Sequence, residues 1–202
     1  MSKVPKALLA LVLCTAGCGG GSSSGSSGKT ASDPTMLIGP KTVVSVDQSA
    51  TTQALIAAGQ YDGADPGFDE VTNIVISGEL TIKPQEMMAV VTFTEPVGSD
   101  DEVVARLHDA GFHAAILVEC LSYGVAFARK VGEIDPPLPS GIGIECLGQY
   151  ALTGGVRQYP QIWGTGSAKG WELLLAPWDL QYRPTNPQKI GFLAVQDDAL
   201  RD

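Results

Sequence analysis

The chain has 202 residues, and its 13 Lys and Arg stand against 22 Asp and Glu, which gives a formal net charge of −9. A pI near 4.6 excludes the class of proteins that hold a nucleic acid backbone on a basic surface, so no nucleic acid partner is predicted. Charged residues make up 17% and hydrophobic residues 44%, so we expect most of the chain to fold rather than remain a disordered polyelectrolyte.

The first eighteen residues have the layout of an export signal. Lys3 and Lys6 precede the apolar run 7–13 (ALLALVL), which is too short to span a bilayer. The segment 14–18 (CTAGC) follows, with small residues at the three positions before Cys18. This segment resembles the lipobox of bacterial lipoproteins. The resemblance implies cleavage immediately before Cys18, attachment of a diacylglyceryl group and a fatty acyl chain such as palmitate to that cysteine, and membrane anchoring.

A run of ten Gly and Ser residues at 19–28 (GGGSSSGSSG) has the composition of a flexible tether. The sequence therefore predicts a signal peptide (1–17), a lipidated cysteine with its tether (18–35) and a globular domain (36–202). An ordinary cleaved signal with an incidental cysteine is the alternative. The lipoprotein interpretation predicts export and anchoring in the outer membrane of a Gram-negative cell, or otherwise on the outer face of the cell membrane.

The first half of the domain is predicted to alternate between strands, turns and a short helix. Residues 42–46 favour a strand, and residues 49–58 favour a helix because the segment contains helix formers, begins with a Ser and is followed by a Gly. The acidic segment 62–70 (DGADPGFDE) is predicted to be a surface turn, since it lacks the ligand spacing of a calcium loop. Residues 74–82 predict a hairpin around a Ser-Gly turn.

A β-α-β unit is predicted over residues 89–121. Residues 89–94 (AVVTFT) favour a strand, and Ser99 with Glu102 has the spacing of a capping box that begins a helix. Residues 112–121 are predicted to form the second strand. Such a crossover usually makes two parallel, neighbouring strands.

The remaining elements are predicted to be strands. They cover residues 123–129, 171–176 and 190–195, with a rigid proline-rich spacer at 135–139 (DPPLP). Together the predicted elements indicate an α+β fold, a single domain with a mixed β-sheet and few short helices.

Two cysteines lie within the predicted domain, Cys120 and Cys146. Their local sequences are alike (ILVECL and IGIECL), and as strands they would place each thiol on an aliphatic face. In an exported protein this pair predicts a disulfide, with two buried free thiols as the alternative. A zinc site is not predicted, because the paired C-x-x-C spacing is missing.

The same strand interpretation brings acidic side chains together. If Cys120 and Cys146 face each other on adjacent strands, Glu119 and Glu145 point together on the opposite face, and His113 shares the face of Glu119. Two neighbouring carboxylates and an imidazole could perform acid–base chemistry or bind a cation. The alternative is two solvent-facing glutamates with no such role.

Aromatic residues concentrate towards the C-terminus, where all three Trp lie between amides and acids. Exposed rings there would form a sugar-stacking or protein-docking surface, for which Trp163, Trp178 and Tyr182 are the candidates. The alternative is that these rings fill the core. Trp178 follows a proline in a predicted turn, and we expect its ring to be exposed.

These features favour a membrane-tethered cell-envelope lipoprotein with a non-catalytic binding or scaffolding role through a protein partner. A first alternative is a glycan-binding module for cell-wall polymer that uses the aromatics of residues 150–182. A second alternative is a hydrolase or metal-assisted enzyme around His113, Glu119 and Glu145. No motif predicts a cofactor or a bound metal, and the sequence leaves enzymatic activity open without favouring it.

Overall fold

The computed structural model of the chain describes residues 35–75, 80–127, 143–164, 170–178 and 190–197. Several sequence predictions lie outside these residues. They are the signal peptide (1–17), Cys18 and its tether up to residue 34, the Ser77-Gly78 turn, the 135–139 spacer and Tyr182.

Within the described residues, ten strands and three helices are present, and all belong to one compact unit, residues 33–202. The strands are β1 (Met36–Ile38), β2 (Thr42–Ser45), β3 (Asn73–Ile74), β4 (Gln85–Phe93), β5 (Phe112–Ala114), β6 (Gly143–Glu145), β7 (Gln149–Thr153), β8 (Val156–Gly164), β9 (Trp171–Pro177) and β10 (Ile190–Gln196). The helices are α1 (Thr52–Ala58), α2 (Asp100–Asp109) and α3 (Leu117–Ala126), and a 3-10 turn covers Phe68–Glu70.

Strand β10 lies at the centre of a mixed sheet. It pairs antiparallel with β4 on one side, and on the other side it pairs parallel with β6 and antiparallel with β5. The predicted α+β fold with a mixed sheet is therefore confirmed. The β-α-β unit is present as β4-α2-β5, and its two strands run parallel. They are separated by β10 instead of being neighbours, because the last strand of the chain inserts between them.

The second strand of that unit ends at Ala114, so the predicted strands at 112–121 and 123–129 are wrong where α3 lies. The segment 117–126 is apolar almost throughout, and such a run does not distinguish a strand from a buried helix by its periodicity. The carboxylate of Glu119 accepts the N–H of Ile116 at 2.9 Å, an interaction typical of a helix N-terminus. None of the helices in the described residues is both long and apolar enough to cross a bilayer.

The predicted hairpin over 74–82 is also wrong. Among the described residues of this region, Asn73 and Ile74 form a strand, and they pair with β7, at Tyr150 and Gln149. The described residues 80–82 are not in a strand. The Ser-Gly sequence predicts that residues 74–82 pair with one another, but the strand partner of Asn73 and Ile74 is β7, which lies far along the chain.

Helix α2 begins at the predicted residue. The Ser99 hydroxyl accepts the N–H of Glu102 at 3.1 Å, and the Glu102 carboxylate accepts the N–H of Gly98 at 3.0 Å. Arg157 of β8 donates to Asp100 at 3.0 Å, which ties the first turn of the helix to the sheet. The capping signal therefore fixes the start of α2, and the Arg157–Asp100 contact holds that first turn against the sheet.

Apolar side chains cover both faces of the sheet. Helices α1 and α3 pack on one face, here called the α3 face, and α2 packs on the other, the α2 face. Along β10, Leu193 and Val195 belong to the α3 face, whereas Phe192 and Ala194 belong to the α2 face. This alternation makes β10 buried on both sides, as expected for a central strand.

One edge of the sheet is closed by the acidic segment that the sequence predicted to be a surface turn. Residues 62–65 run beside β9, where the N–H of Leu173 donates to the carbonyl of Gly63 and the N–H of Asp65 donates to the carbonyl of Leu173, both at 2.9 Å. The Asp65 carboxylate also accepts the N–H of Leu175 at 3.0 Å. The segment thus satisfies backbone groups that an uncovered edge would leave open.

The opposite edge is formed by β1 and β2, which both pair with β4. Gly39 faces Val90 of β4, and Thr42 faces Met88. Three residue-to-residue steps on the edge therefore face two on β4, which makes a β-bulge. Pro40 and Lys41 occupy this bulge. A bulge, a proline and a lysine all oppose continuous pairing with a further strand.

The predicted disulfide between Cys120 and Cys146 is present, with the Cα atoms 6.0 Å apart. Cys120 lies in α3 rather than in a strand, and Cys146 directly follows β6. Both residues are fully buried in the core of the α3 face. The bond therefore joins the first turn of α3 to the sheet.

Reducing this disulfide is expected to lower the free energy of unfolding by about 3–4 kcal/mol, because the bond constrains a long loop of the unfolded chain. Urea unfolding with and without a reductant measures the difference. A Cys120→Ala/Cys146→Ala double variant is the control and should not respond to the reductant. Equal stability of the native chain under both conditions would contradict this role of the bond.

Candidate functional site

His113 lies on β5 between two carboxylates. Its Nδ1 is 2.7 Å from Oδ1 of Asp197, which directly follows β10, and its Nε2 is 3.1 Å from Oε1 of Glu119 in α3. The structure thus brings together two of the three residues proposed for acid–base chemistry. It adds Asp197, which the sequence interpretation did not include.

Glu119 is fully buried, and both of its oxygens have partners. Oε1 contacts His113, while Oε2 accepts the backbone N–H of Ile116 at 2.9 Å. The carboxylate also lies in the first turn of α3, where the helix dipole favours negative charge. These contacts offset part of the cost of burying an ionised carboxylate.

Burial alone would lower the pKa of His113, since the residue is only 8% exposed and burial disfavours the charged ring. The hydrogen bond and charge of Glu119, followed by those of Asp197, outweigh burial and raise the pKa of His113 above its ordinary value. An imidazolium can donate from both ring nitrogens, and each nitrogen faces a carboxylate. The charged form of His113 therefore fits this site best.

Glu145 does not join this cluster. On β6 it is in register with Phe192, so its side chain lies on the α2 face, whereas His113 is in register with Val195 on the α3 face. The expectation that Glu119 and Glu145 point together is wrong, because it placed Glu119 in a strand. The alternative of solvent-facing glutamates is wrong as well, since Glu145 is only 2% exposed and Glu119 is fully buried.

The candidate aromatic residues do not form a fully exposed surface. Trp171 is buried, and Trp163 is half-buried at the end of β8. Trp178, expected to be exposed, is half-buried, with its ring 6.0 Å from that of Phe192. The proline before it ends β9 but leaves the indole packed against the apolar cluster of the α2 face.

An open groove lies between α2 and β5, with a volume of about 340 Å³. We call it the α2–β5 groove. Apolar and small side chains contribute to its lining, and ionisable side chains of α2 stand at its rim. The lining residues are Val75, Asp101, Val104, Ala105, His108, Asp109, His113 and Ala114. The sequence interpretation missed this groove, because it depends on how α2 crosses the sheet.

His113, Glu119 and Asp197 connect three secondary-structure elements of the fold. They join β5, α3 and the end of β10, and both ring nitrogens of His113 are engaged. Within the described residues, no group of three or more His, Cys, Asp or Glu side chains is placed to hold a metal ion. His113 is also one of the residues that line the α2–β5 groove.

Comparisons with known proteins give no relative for this chain: no protein-family model matches it, and neither a curated protein nor a solved structure shows significant similarity.

Replacing Glu119 by Gln is expected to lower the free energy of unfolding by about 3 kcal/mol, because a buried imidazolium loses its buried counter-charge. Asp197→Asn is the matched control and should cost clearly less, since the Asp197 side chain is partly exposed and its charge is screened by water. Urea unfolding of the two variants at neutral pH measures both effects. A Glu119→Gln variant as stable as the native chain would contradict the importance of the pair.

Raising the pH is expected to weaken the fold through His113. Its pKa in the folded state is raised above the unfolded value of 6.5, so its stabilising contribution is complete below that pH and is lost as pH rises through the folded pKa. Unfolding free energies from about pH 6 to about pH 9 for the native chain and His113→Asn measure this contribution. The native chain should lose more stability than the variant over this range. Parallel curves would contradict the prediction.

Proposed function

We propose that this chain is a membrane-tethered lipoprotein of the cell envelope and that its domain binds a protein partner without catalysing a reaction. One observation carries the non-catalytic part of the proposal: the atoms of the best candidate for acid–base chemistry are already engaged. Both nitrogens of His113 face carboxylates, and both oxygens of Glu119 have partners within the fold. Glu145 lies on the other face of the sheet. A general base needs a free atom within reach of its substrate.

The export part of the proposal rests on the N-terminal sequence and is supported by the cysteines. The lipobox-like segment precedes Cys18, and a Gly/Ser run separates this cysteine from the domain. The buried disulfide between Cys120 and Cys146 suits a protein that folds in an oxidising compartment.

A cell-wall glycan is the second candidate ligand. Trp163 and Trp178 are each half-buried, and both lie on the α2 face of the sheet. The accessible part of an indole ring can stack on a sugar. Trp171 is buried and the ring of Trp178 packs on Phe192, so less ring surface is exposed than the sequence predicted, which favours the protein partner.

Replacing Cys18 by Ser is expected to abolish lipid attachment. The native chain should appear in the membrane fraction of a bacterial host and incorporate a labelled fatty acid, whereas Cys18→Ser should do neither. Cys14→Ser is the matched control and should behave as the native chain does, because its thiol is removed with the signal. Labelling that persists in Cys18→Ser would contradict lipidation at this residue.

The native chain in detergent is expected not to pellet with purified cell-wall sacculi, because it binds protein instead of glycan. The same sedimentation assay with Trp178→Ala tests the glycan alternative directly, and His108→Ala controls for a surface change elsewhere. Pelleting of the native chain that Trp178→Ala abolishes would overturn the protein-partner proposal and establish a glycan-binding surface.

A further inference from the structure

A second open pocket, with a volume of about 270 Å³, lies between α1, α3 and the 3-10 turn. We call it the α1–α3 pocket. Its lining includes the buried apolar side chains of Leu55, Phe68 and Leu121, and it also includes the exposed residues Asp69 and Thr72. The volume is below the roughly 300–1,000 Å³ of typical small-molecule pockets, so the pocket suits one side chain better than a large organic ligand.

Asp69 is the acidic residue of this pocket, and none of the other lining residues is charged. Elsewhere in the acidic segment 62–70, the carboxylates of Asp62 and Asp65 accept backbone N–H groups at 3.1 and 3.0 Å. Within the described residues, no hydrogen bond or ion pair engages the Asp69 carboxylate. An unpaired carboxylate beside an apolar pocket favours a ligand that carries a positive charge.

The first turn of α3 also contributes to the pocket, and the dipole of this helix would by itself favour an anion. Two N–H groups of that turn already have acceptors. The N–H of Leu117 donates to Oε1 of Gln149 at 3.2 Å, and the N–H of Ile116 donates to the Glu119 carboxylate at 2.9 Å. These contacts oppose the attraction of the helix end for an anion and leave Asp69 as the charged group that a ligand meets.

We propose that the α1–α3 pocket receives an aliphatic side chain of the protein partner and that a neighbouring lysine or arginine of the partner pairs with Asp69. The aliphatic side chain packs against Leu55 and Leu121. The cation stays at the solvent-exposed rim, because an apolar interior disfavours a buried charge. The net charge of −9 also favours a basic partner surface. This inference rests on the proposed protein-binding function and names the chemistry of the partner.

The test uses the full chain in a non-ionic detergent and three acetylated and amidated dipeptides, followed by amide NMR. Leu-Lys is expected to give saturable shifts at Leu55, Thr72 and Val118, which line the pocket. Leu-Gln lacks the cation, and Ala-Lys lacks the long aliphatic side chain. Both should therefore bind more weakly than Leu-Lys.

Two variants separate pairing with Asp69 from the general acidity of the segment. Asp69→Asn should weaken the binding of Leu-Lys by about threefold at about 0.15 M salt, since an exposed ion pair contributes little, and should leave the binding of Leu-Gln unchanged. Glu70→Gln is the matched control. Glu70 is the next residue and is exposed, but it does not line the pocket, so this variant should bind as the native chain does.

The inference is overturned if Leu-Lys gives no saturable shifts at the pocket, if Leu-Gln or Ala-Lys binds as well as Leu-Lys, or if Asp69→Asn and Glu70→Gln have the same effect. Failure of the proposed function has a different signature, namely sacculus binding that depends on Trp178. An absent peptide response without sacculus binding therefore rejects the pocket alone and leaves the protein-binding proposal in place.

Discussion

The position of α3 depends on the interactions of the buried Glu119 carboxylate. A buried charge destabilises a fold unless it is paired, and this one meets the ring of His113 and the N–H of Ile116. The next residue, Cys120, is bonded to Cys146 beside β6. Two consecutive residues of one helical turn therefore fix α3 to the sheet, one through charge and one through a covalent bond.

The same contacts also engage polar groups and sheet edges within the fold. The polar groups most suited to chemistry are used to hold β5, α3 and the end of β10 together. The backbone edge at β9 is closed by residues 62–65, and the edge at β1 and β2 is interrupted by the bulge at Pro40.

Features made by residues close together in the sequence were predicted better than features made by residues far apart. The start of α2 was predicted because Ser99 and Glu102 lie three residues apart and form the cap themselves. The class of fold and the disulfide followed from element order and compartment. The segment 117–126 was predicted to be strand from a period-two alternation of apolar residues, but a mostly apolar run does not distinguish a strand from a buried helix by its periodicity. His113 and Glu119 were expected to lie close together because both were placed on one face of a strand, whereas Glu119 lies in α3. Asp197 was missed, since it is 84 residues from its partner and only the central position of β10 brings it there.

The most direct test of this account is the protonation state of the His113 ring, measured by nitrogen-15 NMR of the imidazole at neutral pH. The account predicts that Nδ1 and Nε2 both carry protons, with the two signals of an imidazolium held between Asp197 and Glu119. A neutral ring with one protonated nitrogen would contradict it. That result would leave one nitrogen of His113 free to accept a proton and would return the site to the candidates for catalysis.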